Sequence, residues 1–131
     1  MQHVHLKRQS ARPRTGSDVV IANGFAYVGG LTPIDLDNER APIPEHVEDQ
    51  VKKIFANLER ILGEVGLSKD DLVSVRVSLV DLPRLYDRMT AAYRECVNPD
   101  RLPARSCIGV SSLPRGAMVL MEFIAKAKDK G

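Results

Sequence analysis

The sequence predicts an α+β fold: a mixed β-sheet with two helices on one of its faces. Three observations carry this expectation. Apolar residues recur at Val47, Val51, Ile54, Phe55, Leu58, Ile61, Leu62 and Val65, the three-and-four spacing of a helix with one buried face. Leu72 to Val80 instead alternates, with Val73, Val75, Val77 and Leu79 on one side and Ser74, Arg76 and Ser78 on the other, the period of a half-buried strand. Near the C-terminus Ala117, Val119, Met121 and Phe123 face one way, while Met118, Leu120 and Ile124 face the other, interrupted by Glu122. A strand apolar on both sides is normally covered on both.

The elements follow in order. Residues 1–15 are polar and basic and read as an N-terminal arm. The apolar runs Val19 to Ile21 and Phe25 to Val28 flank Asn23-Gly24, a pair that tolerates the positive φ of a tight hairpin turn. Gly29-Gly30 then marks a bulge or a close approach of the backbone to another group. A polar loop leads to the long helix, 44–64, with Pro44 in its first turn, where a missing N–H costs nothing. Gly66 suits a left-handed helix cap. Asp81 is expected to cap a second helix with Pro83 near its first position. Its apolar stripe is Leu85, Met89, Ala92, Tyr93 and Cys96, and Asn98-Pro99-Asp100 ends it. Two strands, about 105–111 and 117–125, close the chain, with Leu113 to Gly116 as the turn between them. Two helices cover one face of this sheet. The apolar far side of the last strand therefore implies a second subunit and a homo-oligomer.

Composition narrows the function. The 131 residues form one domain, 1–131, within the usual domain size. Nineteen basic against 17 acidic residues leave a formal net charge of +2, so no nucleic-acid partner is expected. The local excess at Lys7, Arg8, Arg12 and Arg14 reads as a solvated arm. No apolar run reaches the roughly 18 residues of a membrane span, and no secretory leader is evident. Cys96 and Cys107 lack metal-binding spacing and are expected as free thiols in a reducing cytoplasm.

Standard catalytic sets are missing from the sequence. His3 and His5 would be two ligands near a terminus, too few for a metal site, and His46 falls at the start of the long helix. No metal site is expected from these residues. Cys107 reads as a small strand residue, because no histidine is placed to activate it. What remains is Arg105, opening a strand after a proline-bounded loop. Its alternates, Cys107 and Gly109, are small and would leave a hollow. A guanidinium is the natural carboxylate anchor, since its planar fork donates two parallel hydrogen bonds. A surface arginine is the competing reading.

Pro103-Ala104-Arg105-Ser106-Cys107, Leu113-Pro114-Arg115-Gly116-Ala117 and Met121-Glu122-Phe123-Ile124-Ala125 resemble the C-terminal signature of the RidA/YjgF family, formerly called endoribonuclease L-PSP. Tyr27 to Asp35 resembles that family's first sheet motif. The resemblance spans roughly residues 16 to 127. It implies a chorismate-mutase-like fold, a homotrimer around a central barrel, and active sites between subunits. It also implies hydrolysis of enamine or imine acids of the 2-aminoacrylate type (2-iminobutanoate is another) to 2-keto acids and ammonia, with no metal or organic cofactor. Arg105 matches the arginine that holds the substrate carboxylate, and backbone groups near Cys107 and Gly30 would complete the pocket.

Departures from the family pattern cluster around the reacting carbon. A glutamate usually assigned to the attacking water is Leu120. A tyrosine near the N-terminus is replaced near Asp18, the serine of the sheet motif is Gly29 and its glutamine Leu31. An asparagine on the second helix corresponds to Thr90. Glu122, on the same strand face as Leu120, is then either the acid/base or a paired structural residue. The alternative function is a non-catalytic protein that binds small carboxylic acids. A ribonuclease ranks third, because neither basic grooves nor aromatic base platforms are evident.

Overall fold

A computed structural model describes residues 1–6 and 15–127. Six strands form one mixed sheet: β1 (Gln2–Val4), β2 (Val19–Ala22), β3 (Phe25–Leu31), β4 (Leu72–Val80), β5 (Ala104–Val110) and β6 (Val119–Lys126). Their spatial order is β1-β2-β3-β6-β4-β5. All neighbours are antiparallel except β4 and β5, which run parallel. A parallel pair needs a crossover, and α2 (Leu82–Cys96) provides it. The other helix, α1 (Val47–Glu64), lies beside α2, and both pack on the same side of the sheet. The core between the layers includes Ile54, Leu58, Leu85, Met89, Val77, Met121 and Phe123, all buried.

Several local readings hold. Asn23 and Gly24 turn with φ of 52° and 82°, and the hairpin closes on Ala22 opposite Phe25. Gly66, at φ 72°, ends α1. Its N–H donates to Gly63 O, and the Leu67 N–H reaches Leu62 O at 2.9 Å, the paired bonds of a left-handed cap. The β3–β6 register slips between Val28 and Leu31, at the glycine pair.

Other readings are corrected. Gln2–Val4 is not part of an arm but an edge strand on β2. Its hold comes from far along the chain: the Asp18 N–H donates to Val4 O, and the Leu6 N–H donates to Asp18 Oδ2 at 2.7 Å. The basic residues Lys7, Arg8, Arg12 and Arg14 lie outside the described residues. Helix α1 begins at Val47, with His46 as its cap, so Pro44 precedes it. Asp81 adopts the left-handed conformation, with φ 51°, and its side chain caps no helical N–H. The carboxylate instead pairs with Arg84 Nε. Val73 does not join the buried face of β4. One extra residue is accommodated between Leu72 and Ser74, so Leu72 turns inward and Val73 is exposed. The segment from Leu113 to Gly116 does not join neighbouring strands, because β4 lies between β5 and β6.

Gln50 ties these parts together. It is 1% exposed; its Nε2 donates to Pro44 O at 2.8 Å, and its Oε1 accepts the Met118 N–H at 2.8 Å. Gln50→Ala would strand both backbone groups, and such a loss costs about 1–3 kcal/mol. A drop of that size in the free energy of urea unfolding is expected; an unchanged midpoint would show that the backbone groups find other partners.

Candidate active site

Arg105 lies near the start of β5, opposite Val75 of β4. Val75 in turn faces Phe123 of β6. In-register partners share a sheet face, so Arg105 points to the helix side, under α2. There the guanidinium is held on several sides. Its Nη2 donates to Thr90 Oγ1 at 3.0 Å and lies 3.7 Å from Met89 Sδ. Its Cζ stands 4.7 Å from the ring centroid of Tyr93 and 5.7 Å from that of Tyr86, within cation–π range. Tyr86, Thr90 and Tyr93 come together because spacings of three, four and seven fall on one helix face.

A cavity of about 220 Å³ opens beside this arginine, lined by Thr90, Tyr93, Arg94, Val97, Leu102, Pro103 and Arg105. Arg105 Nε and Tyr93 Oη are buried and find no hydrogen-bond partner among the described residues. Burial pushes the Tyr93 phenol above its ordinary pKa, partly offset by the Arg105 charge. Cys107 follows on the same face, opposite Val77. Burial likewise raises its thiol, against a smaller lowering by Arg105. The hollow expected from Gly109 belongs to the fold: a Cβ there would lie 3.4 Å from Leu82 Cβ, so this glycine admits the start of α2.

The remaining candidates lie elsewhere. Glu122 is directly opposite Arg76, and Leu120 opposite Ser78, on the face that carries no helix. Ser106 and Ile108 of β5 share that face through their partners Arg76 and Ser78, and so does Tyr27 through Ile124. A second cavity, about 350 Å³, is lined there by Tyr27, Val28, Gly29, Gly30, Ser74, Arg76, Glu122, Phe123 and Ile124. Gly30 serves a close approach, since a Cβ at this position would come within 3.2 Å of Leu120 Cδ2. Arg105, Thr90 and Cys107 are thus gathered under α2, and Gly29, Gly30 and Glu122 around the open-face cavity. One copy of the chain keeps the two groups on opposite sides of its sheet.

Asp18, where the resemblance places a replaced tyrosine, lines a smaller cavity of about 120 Å³ with Gly29, Gly30 and Asn57. Its carboxylate is engaged by the Leu6 N–H. His5 Nε2 lies 3.4 Å from Ser17 Oγ. Among the described residues no group of three or more His, Cys, Asp or Glu is arranged to hold a metal. Nor is any described helix long and apolar enough to cross a membrane.

The family model for endoribonuclease L-PSP matches residues 11–127. The chain belongs to the RidA/YjgF family. Among its RidA/YjgF relatives, the mitochondrial protein MMF1 of Saccharomyces cerevisiae is 34% identical over 113 residues, 86% of this chain and 75% of that protein. A RutC family protein of Pyrococcus abyssi is 33% identical over 109 residues, 83% of this chain and 84% of its own. The crystal structure of yeast Mmf1 matches with a TM-score of 0.83 at 32% identity, covering 97% of this chain and 100% of that one. RidA from the Antarctic bacterium Psychrobacter matches with a TM-score of 0.83 at 26% identity, covering 96% and 99%. These likenesses place the six-stranded sheet and two helices in the RidA/YjgF fold.

Sequence reasoning missed Tyr86 and Tyr93 as neighbours of Arg105. Tyr93 was absorbed into the apolar stripe of α2. The available signal was the run Tyr86, Thr90, Tyr93 on one helix face. Arg76 is legible only as a polar strand residue; its position opposite Glu122 depends on the pairing of β4 with the distant β6.

Proposed function

We propose that this protein hydrolyses reactive imine acids to 2-keto acids and ammonia, with Arg105 holding the substrate carboxylate. One observation carries this reading: a guanidinium stacked on Tyr93 and clasped by Thr90, with an unpartnered Nε, beside a cavity of about 220 Å³. A restrained fork of donors suits a planar carboxylate.

The reaction suits a sparse site. Water adds to the iminium carbon, one of its protons passes to nitrogen, the C–N bond breaks as the carbonyl forms, and the second proton leaves that oxygen for the departing ammonia, giving a 2-keto acid and ammonium. An enamine enters by protonation at its terminal carbon. The electrophile is already reactive, so the protein's task is to fix the acid and aim a water. Glu122 is the proposed acid/base, with Gly29 and Gly30 as neighbouring backbone. Since Arg105 and Glu122 occupy opposite faces of one sheet, the proposed site joins Arg105 of one copy to the open face of another, in a homotrimer. Thr90 acts by holding Arg105. The free thiols Cys96 and Cys107 suit a reducing compartment, and the proposed location is the cytoplasm.

The test generates imines from a panel of amino acids with an amino acid oxidase and follows 2-keto acid release, with semicarbazide trapping residual imine. Acceleration by the protein supports the deaminase. Binding of 2-keto acids with no acceleration of any imine would favour the second reading, a carboxylate-binding protein. That reading draws on Leu120, an apolar side chain against Gly30 in place of the family glutamate. Cys107→Ala is expected to retain turnover, because burial raises the thiol pKa and direct addition of water needs no thiohemiaminal intermediate. Loss of turnover in a folded Cys107→Ala protein would point to a covalent route.

A further inference from the structure

Tyr93 carries an unexplained polar atom. The residue is 4% exposed, and its hydroxyl is buried without a partner among the described residues, as is Nε of the arginine stacked on its ring. The ring is held edge-on by Phe55, with centroids 5.7 Å apart and planes at 69°. A buried hydroxyl left unpaired is destabilising, and two orphaned donors on stacked side chains call for a common explanation. A phenylalanine would present the same face to Arg105 and keep the same T-shaped pair with Phe55 with nothing to satisfy. The hydroxyl therefore answers to something that enters the cavity both residues line.

Its chemistry defines the complement. Burial favours the protonated phenol, so the hydroxyl donates. Nε–H also donates. Two donors without an acceptor match an anion with more than one oxygen, and both atoms are shielded from bulk water, where a charge-assisted hydrogen bond is strong. We propose that the Tyr93 hydroxyl is a ligand-binding group, donating to the same carboxylate that Arg105 holds. This deepens the assignment of Arg105 as the carboxylate anchor and rests on it. Tyr93 then has two functions in one side chain: its ring face orients the guanidinium, and its hydroxyl completes the grip on the acid.

The test is calorimetric titration of pyruvate, a 2-keto acid that undergoes no hydrolysis, into the intact protein and three variants. Tyr93→Phe is expected to weaken binding by about tenfold, the loss of one hydrogen bond to a charged group, while its melting temperature stays equal to or above that of the wild type. Tyr93→Leu, which also removes the ring, is expected to bind more weakly still. Wild-type affinity in Tyr93→Phe overturns the proposal, including the case in which Tyr93→Leu alone loses binding and only the ring matters. A bridging water as the hydroxyl's sole partner would give that same unchanged affinity. Arg105→Ala separates the two levels. If it binds pyruvate normally, or the wild type binds none, the carboxylate-anchor reading itself falls. If it fails to bind while Tyr93→Phe binds normally, only the role of the hydroxyl falls.

Discussion

Arg105→Ala is expected to lower kcat/KM for imine hydrolysis by about 10- to 150-fold or more, with little change in melting temperature. The estimate follows from losing hydrogen bonds to a charged group, worth about 1.5–3 kcal/mol. The side chain is half-buried at a sheet edge, so its removal spares the core between the layers. Arg105→Lys is expected to recover little. An ammonium restores the charge but neither the planar fork nor the stacking on Tyr93, where Cζ now lies 4.7 Å from the ring centroid. The measurement is the initial rate of 2-keto acid release over a range of imine concentrations. A folded Arg105→Ala protein with wild-type kcat/KM would remove this residue from the mechanism.

Phe55→Ala is expected to have the largest effect on stability, about 3–5 kcal/mol. Phe55 is 3% exposed and sits between two aromatic neighbours, edge-on to Tyr93 at 5.7 Å and to Phe123 at 5.6 Å. Truncation leaves a cavity in the layer between α1 and the sheet and removes two ring pairs, each worth about 0.5–1.5 kcal/mol beyond its area. Equilibrium urea unfolding with an unchanged slope would report the loss. A wild-type midpoint would mean that the layer closes over the gap. The same residue links the core to the site, because the ring it steadies is the one beneath Arg105. A Phe55→Ala protein that still folds is therefore also expected to bind pyruvate more weakly.

The legible parts of this molecule are those written in local sequence. The stripe of α1, the Asn23-Gly24 turn and the Gly66 cap depend on residues a few positions apart, and the structure has all three. Arg105 stood out because a proline-bounded loop and small neighbours surround it. What was hidden depends on contacts between distant segments. Nothing in Gln2-His3-Val4 marks a strand; it becomes one by pairing with Val19 to Ile21 and through Asp18. Gly109 looked like room for a ligand, yet it is room for Leu82. The alternation of β4 concealed its bulge, because Leu72 and Val73 are both apolar and either could face inward. Glu122 shares a face with Leu120 as its spacing requires, but its separation from Arg105 follows from which strands flank β4.

The single-sided pairing of β5 has a consequence for how such a site diverges. Among the described residues β5 is bonded to β4 along one edge only, and its arginine is met from above by Thr90, Met89, Tyr86 and Tyr93 of α2. Substitutions along that helix face re-aim the cation without disturbing the strand pairing that defines the fold. On the proposed function, α2 is thus the element through which the choice of acid can be retuned while the pairing of β4 with β5 is left intact.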